Sequence, residues 1–195
     1  MTHRIKSAAV YCGHEFGNDP KFARDAARVG ELLAKNKIKL VFGGGDVGLM
    51  GTVCRATLDN GGAVLGVSTT HIAARQEPAY AGIELRMTES INARKTEMFN
   101  ESDVFIILPG GLGTLNELTD IMTMQQIGET QKPMFFLDTS HFWHPFSRLF
   151  IHMQNCGFIE DVHQYKIQGA RTPEELIKKI LEYSTTELCT LKTEH

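Results

Sequence analysis

Short runs of β-forming apolar residues alternate along this chain with longer stretches of helical periodicity, and that alternation leaves few architectures open. Parallel strands need long crossovers, so a chain built this way folds as a parallel sheet with helices on both faces, an α/β protein. Strands are expected at residues 8–12, 38–42, 63–67, 83–86, 103–108 and 133–137, with a weaker seventh at 165–168. The first helix is announced by Asp19 as cap and Pro20 at the first helical position, then Phe22, Ala23, Ala26, Val29 and Leu33 at helical spacing as far as Asn36. A second opens in the glycines before Leu49 and stops at Asn60-Gly61-Gly62; others are expected at 90–100, 114–127, 142–155 and 173–183. A length of 195 residues suits one domain, 1–195, with a polar tail loosely held after about residue 184.

Bulk properties remove several classes of function. The formal net charge is −3 and the pI near 6.2, so nothing in the bulk charge draws the chain towards nucleic acid. The longest apolar runs, such as 104–108 and 134–137, fall far short of the roughly 18 residues of a membrane span, and the first residues do not make a secretory signal. Cys12, Cys54, Cys156 and Cys189 stand far apart, which suggests neither a zinc ribbon nor a disulfide framework. A cytoplasmic location, with no membrane or nucleic-acid partner, is the expectation.

Two glycine-rich loops follow strands. In the first, Lys39-Leu40-Val41-Phe42 runs into Gly43-Gly44-Gly45-Asp46-Val47-Gly48 and then a helix. Glycines let backbone approach an anion, and helix-start amides supply favourable charge, so Gly44 and Gly45 are candidate phosphate contacts. Gly43, Gly45 and Gly48 match G-x-G-x-x-G, but the next strand ends in Val67-Ser68-Thr69-Thr70, without the carboxylate that would hold an NAD ribose. A dehydrogenase is therefore discounted.

The second loop is Pro109-Gly110-Gly111-Leu112-Gly113-Thr114-Leu115-Asn116-Glu117. Both loops must lie at the carboxyl ends of their strands, where open α/β sheets bind ligands. Thr114 to Glu117 also spells a capping box, in which the glutamate merely ties down the helix start. Against that reading, a carboxylate one turn into a phosphate-binding helix would repel the ligand unless it faced the sugar and assisted chemistry there. On the preceding helix Ile91, Arg94, Lys95 and Met98 share a face, so a helix that buries Ile91 and Met98 brings two cations to the edge of its buried side. An isolated basic pair can equally snorkel to solvent.

The stretch Pro109 to Glu117 preceded by Arg94-Lys95 resembles the LOG family, the cytokinin riboside 5′-monophosphate phosphoribohydrolases; the likeness extends to Cys12-Gly13, Asp19-Pro20, residues 42–51 and residues 61–67. The resemblance implies a Rossmann-like, doubly wound parallel sheet, usually a homodimer, and hydrolysis of a nucleoside 5′-monophosphate to free base and ribose 5-phosphate. It places Arg94 and Glu117 on the catalytic pair, Gly110, Gly111, Gly113 and Thr114 on the phosphate loop, and Lys95 on the neighbouring basic position. An older label for such proteins, lysine decarboxylase, implies pyridoxal phosphate, and nothing in this sequence assigns a Schiff-base lysine. The chain departs from the family at Ile91-Asn92-Ala93 (commonly Met-His-Glu), at His14-Glu15 (commonly Ser-Ser), and at Ser68-Thr69, near a usual proline.

No cofactor and no metal are expected. The eight histidines are scattered, and the closest pair, His141 and His144, shows no partnering acidic motif, so both are read as ordinary residues at the start of a helix. The alternative to an enzyme is a catalytically silent module that senses a mononucleotide; a DNA-processing relative is disfavoured by the acidic pI.

Overall fold

A seven-stranded sheet forms the centre of the protein, described by a computed structural model over residues 4–74 and 82–190, with side chains as far as Ser184. In chain order the elements are β1 (Ser7–Tyr11), α1 (Pro20–Lys35), β2 (Lys39–Phe42), α2 (Gly48–Asp59), β3 (Val64–Thr69), α3 (Thr70–Ala73), β4 (Glu84–Thr88), α4 (Ile91–Asn100), β5 (Val104–Ile107), α5 (Leu112–Gln126), β6 (Met134–Leu137), α6 (His144–Asn155), β7 (Ile167–Ala170) and α7 (Pro173–Thr190). The strand order is β4-β3-β2-β1-β5-β6-β7, and every pairing is parallel. The chain winds outward from β1 to β4, then returns to lay β5 against the free side of β1. This doubly wound α/β sheet therefore reverses direction between β1 and β5, where crossovers diverge and leave a crevice at the carboxyl ends.

Strand residues are apolar on both faces because both faces are covered. Ala8, Val10, Leu40, Phe42, Val104, Ile106, Phe135 and Leu137 point into a core closed by α1, α2 and α7. Their neighbours Ala9, Tyr11, Val41, Phe105, Ile107, Met134 and Phe136 point into a second core with Met98 of α4, Leu118 and Ile121 of α5, and Trp143. The side-chain alternation of the strands thus builds two cores from one sheet.

Element identities follow the sequence reading, while several ends do not. Asp19 does cap α1, accepting from the Lys21 amide at 2.9 Å. β3 runs on to Thr69, whose hydroxyl accepts from the Ile72 amide and starts the unanticipated single-turn α3. α5 begins at Leu112, two residues before the expected Thr114. The last helix continues to Thr190, so the supposedly loose tail is helical that far, and residues 191–195 lie outside the described residues. The expectation that Ile91 is buried with Met98 is overturned: Met98 is fully buried, but Ile91 is 47% exposed. Ile91 opens α4 where the chain leaves edge strand β4, on which Leu85 and Met87 are also exposed. Among the described residues no helix is long and apolar enough to cross a membrane.

Candidate active site

The carboxyl ends of β1 and β5 are tied together by their own backbones. Gly13, just beyond β1, donates its amide to the Pro109 carbonyl at 3.0 Å. Gly110 has no space for a side chain, since a Cβ there would lie 2.1 Å from Thr114 Oγ1 and 2.9 Å from the Gly13 amide nitrogen. The Gly13 carbonyl in turn accepts from the Leu49 and Met50 amides at 3.1 and 3.3 Å.

That last contact changes the reading of the first glycine loop. The amides at the start of α2, expected to face phosphate, are spent on the Gly13 carbonyl and so cannot also cradle an anion. Gly44, at φ +76°, packs against β3, where a Cβ would sit 3.3 Å from Ser68 Cβ, and Gly45 is buried beside it.

The start of α5 is different. Gly111 caps it with no side-chain hydrogen bond, Leu112 is 84% exposed, and Cβ atoms placed on Gly111 and Gly113 would meet open space. Among the described residues, the amides of Leu112, Gly113 and Thr114 have no hydrogen-bond partner. An exposed helix start with free amides and its positive dipole end is suited to receive an anion.

Glu117 lies five residues beyond Leu112, too deep in the helix to cap it, so the capping box does not form. Its carboxylate instead accepts from Arg94 Nη1 at 3.0 Å, with the two side chains only 13% and 11% exposed. Ser90 caps α4 through the Ala93 amide, which fixes the first turn from which Arg94 projects. Arg94 Nε donates to the Val67 carbonyl of β3 at 2.9 Å, and its other terminal nitrogen lies where a Gly43 side chain would be, 2.0 Å from an ideal Cβ. The role of Gly43 is thus to admit the guanidinium. The planar fork reaches three structural elements at once, as a lysine could not.

Burial pushes the Glu117 carboxyl above the ordinary carboxylate range, the opposing pull of Arg94 notwithstanding. Lys95 turns away from Arg94 and pairs with Asp120 at 2.5 Å and with Asn116 Oδ1 at 3.2 Å. The structure thus joins Arg94 with Glu117 and ties Lys95 of α4 to Asn116 and Asp120, on either side of Glu117 in α5. Asp120 and Tyr11 were missed in the sequence. Tyr11 ends β1 beneath Glu117, its hydroxyl pKa raised by burial and then by the glutamate. With Lys95, Phe99, Glu117 and Asp120 it lines a cavity of about 410 Å³ between α4 and α5. That size falls within the usual range for small-molecule sites, about 300–1,000 Å³.

A second group of polar side chains follows β6. Asp138 Oδ2 lies 3.6 Å from His141 Nδ1 and 3.2 Å from His144 Nε2, so the two histidines do have the acidic partner that the sequence reading denied them. Asp138 stands three residues before His141, across a turn that sequence spacing could not foresee.

Known proteins resemble this chain over most of its length. A family model described as "Possible lysine decarboxylase" matches residues 50–180. The cytokinin riboside 5′-monophosphate phosphoribohydrolase LOG of Oryza sativa subsp. japonica is 36% identical over 180 residues, covering 92% of this chain and 74% of the relative. The cytokinin riboside 5′-monophosphate phosphoribohydrolase of Rhodococcoides fascians is 37% identical over 176 residues, 90% of this chain and 89% of that one. Among solved structures, the molybdenum cofactor binding protein of Rippkaea orientalis superposes with a TM-score of 0.67 at 24% identity, covering 91% of this chain and 96% of that one, a likeness of fold.

Proposed function

The chain belongs to the LOG family, and on that premise we propose that it hydrolyses the N-glycosidic bond of a nucleoside 5′-monophosphate, AMP or an N6-substituted relative, to free base and ribose 5-phosphate. The observation that carries this reading is a buried Arg94–Glu117 pair that joins α4 to α5, the helix whose open N-terminus can receive a phosphate. Glu117 follows Leu112 by about 7.5 Å of helix rise. A phosphate held by the amides of Leu112, Gly113 and Thr114 can therefore present its ribose to the carboxylate. Cleavage builds positive charge on C1′ and negative charge on the departing base. A desolvated carboxylate stabilises the first or activates the attacking water, and the guanidinium offsets the second or steadies the phosphate.

A homodimer belongs to the same reading. Leu85, Met87 and Ile91 leave an apolar edge exposed beside the site, which a second copy would cover. A solution mass near twice 21.7 kDa is expected, and a monomer at working concentration would refute this part.

Because the helix start argues for an anion, AMP should be used in strong preference to adenosine. Comparable kcat/KM for the two would contradict the proposal. Gly43→Ala should lower turnover by roughly tenfold or more with little loss of fold, because the atom that must yield is the end of the Arg94 side chain rather than backbone. A Gly43→Ala protein of unchanged kcat would separate Arg94's position from the chemistry.

A further inference from the structure

We propose that Asp138, His141 and His144 form a binding site for a divalent transition-metal ion of the zinc class. One carboxylate oxygen and two imidazole nitrogens lie within 4.8 Å of one another. The separations of 3.6 and 3.2 Å from Asp138 Oδ2 bracket the edge of a tetrahedron whose centre is about 2.0–2.1 Å from each ligand, an edge of roughly 3.4 Å. A hydrogen bond does not account for the longer of them. The two imidazole rings are only 4.5 Å apart between centroids, a juxtaposition suited to a shared cation.

The segment is held for this task by contacts that leave the ligand atoms free. Asp138 uses its other oxygen, Oδ1, to accept from the Trp143 amide at 2.8 Å, which orients the carboxylate and leaves Oδ2 facing the histidines. Trp143, between the two histidines, is buried against Phe136 and Phe146. Ser140 and His141 both adopt left-handed backbone angles, φ +53° and +61°, rarely tolerated by side chains. The turn is tied down by Thr139 Oγ1 to Asp25 at 2.5 Å and Ser140 Oγ to Asp19 at 2.6 Å. It carries His141 to the side of Asp138 where His144 arrives from the first turn of α6. Imidazole with carboxylate is a zinc-class donor set, and a set of three leaves a coordination position for water or a small ligand. Neither Arg94 nor Glu117 belongs to the cluster, so this inference is independent of the proposed hydrolysis.

The test uses untagged full-length protein, stripped with chelator and dialysed, and titrated calorimetrically with Zn²⁺, with Mg²⁺ as control. One equivalent of Zn²⁺ and no Mg²⁺ should bind, and Co²⁺ should give the intense visible absorption of a tetrahedral site. His141→Gly removes a ligand while relieving the left-handed angle, so its fold is safe; it and His144→Gln should each weaken Zn²⁺ binding by at least about tenfold. Saturating Zn²⁺ should raise the Tm of the wild type but not of His141→Gly. The exposed pair His152 and Cys156, 3.6 Å apart, is the competing binder, so the double variant His152→Gln/Cys156→Ser should retain the site. Absence of saturable Zn²⁺ binding, or binding lost in that double variant and kept in His141→Gly and His144→Gln, would overturn the proposal.

Discussion

Glu117→Gln is expected to lower AMP hydrolysis by roughly a hundredfold or more while the melting temperature barely moves. Glutamine keeps the shape and an oxygen that can accept from Arg94 Nη1, so the contact with α4 survives. What disappears is a negative charge held in a largely desolvated place. Burial raises the pKa of this carboxyl above its unfolded value, so the stability it contributes is present at low pH and is lost as pH rises through the folded pKa. Near neutrality glutamine removes the desolvation cost of the ionised group together with the attraction of Arg94 that opposes it, so the net change in stability is small. The same shift predicts an acid limb in kcat/KM with an apparent pKa above the ordinary glutamate value of 4.5, a limb that Glu117→Gln abolishes. Rates for the variant near those of the wild type, or an acid limb that persists in its residual activity, would move the chemistry to another carboxylate, of which Asp120 is the first candidate.

Arg94→Lys is expected to be nearly as damaging, again about a hundredfold, although the charge is conserved. Arg94 binds the Val67 carbonyl through Nε and Glu117 through Nη1, and fills the space beneath Gly43. One ammonium cannot meet all three. Some loss of stability accompanies the change, of about 1–3 kcal/mol, because the Val67 carbonyl or the glutamate is left without its donor. Binding of AMP and its turnover, measured separately, divide the roles: a raised KM at constant kcat assigns Arg94 to holding the phosphate, whereas a fallen kcat assigns it to the transition state. If the two residues act as one unit, Arg94→Lys combined with Glu117→Gln should cost far less than the product of the single effects. A strictly multiplicative loss would mean that they act separately.

The fold was legible because both faces of the sheet are covered, which makes each strand a nearly continuous apolar run and each crossover a recognisable helix. Helix ends were legible where a side chain caps, as at Asp19, and misread where backbone does the work, as at Gly111. The residues of the candidate pair could be nominated from the sequence, but their contact could not, since Arg94 and Glu117 are 23 positions apart on different helices. The two glycine loops look equivalent as strings; that the Gly13 carbonyl occupies two amides at the start of α2 while those at the start of α5 stay open is visible only in the structure. Ile91 was misplaced because helical periodicity gives a face and says nothing of where the covering surface ends. Asp138 was overlooked beside His141 and His144 because two consecutive left-handed residues bring them together, and no helical or strand spacing encodes that turn.

The central claim is that this chain releases a base from a nucleoside 5′-monophosphate, and the direct measurement follows both products. Purified protein is incubated with AMP, GMP, CMP, UMP and N6-substituted adenosine monophosphates, and free base and ribose 5-phosphate are quantified in the same samples over time. The account predicts that both appear in equal amounts from at least one purine monophosphate, and that both appear roughly a hundredfold or more slowly with Glu117→Gln. Tight binding of these nucleotides without release of base from any of them would contradict it, and would make the protein a mononucleotide sensor built on the same fold.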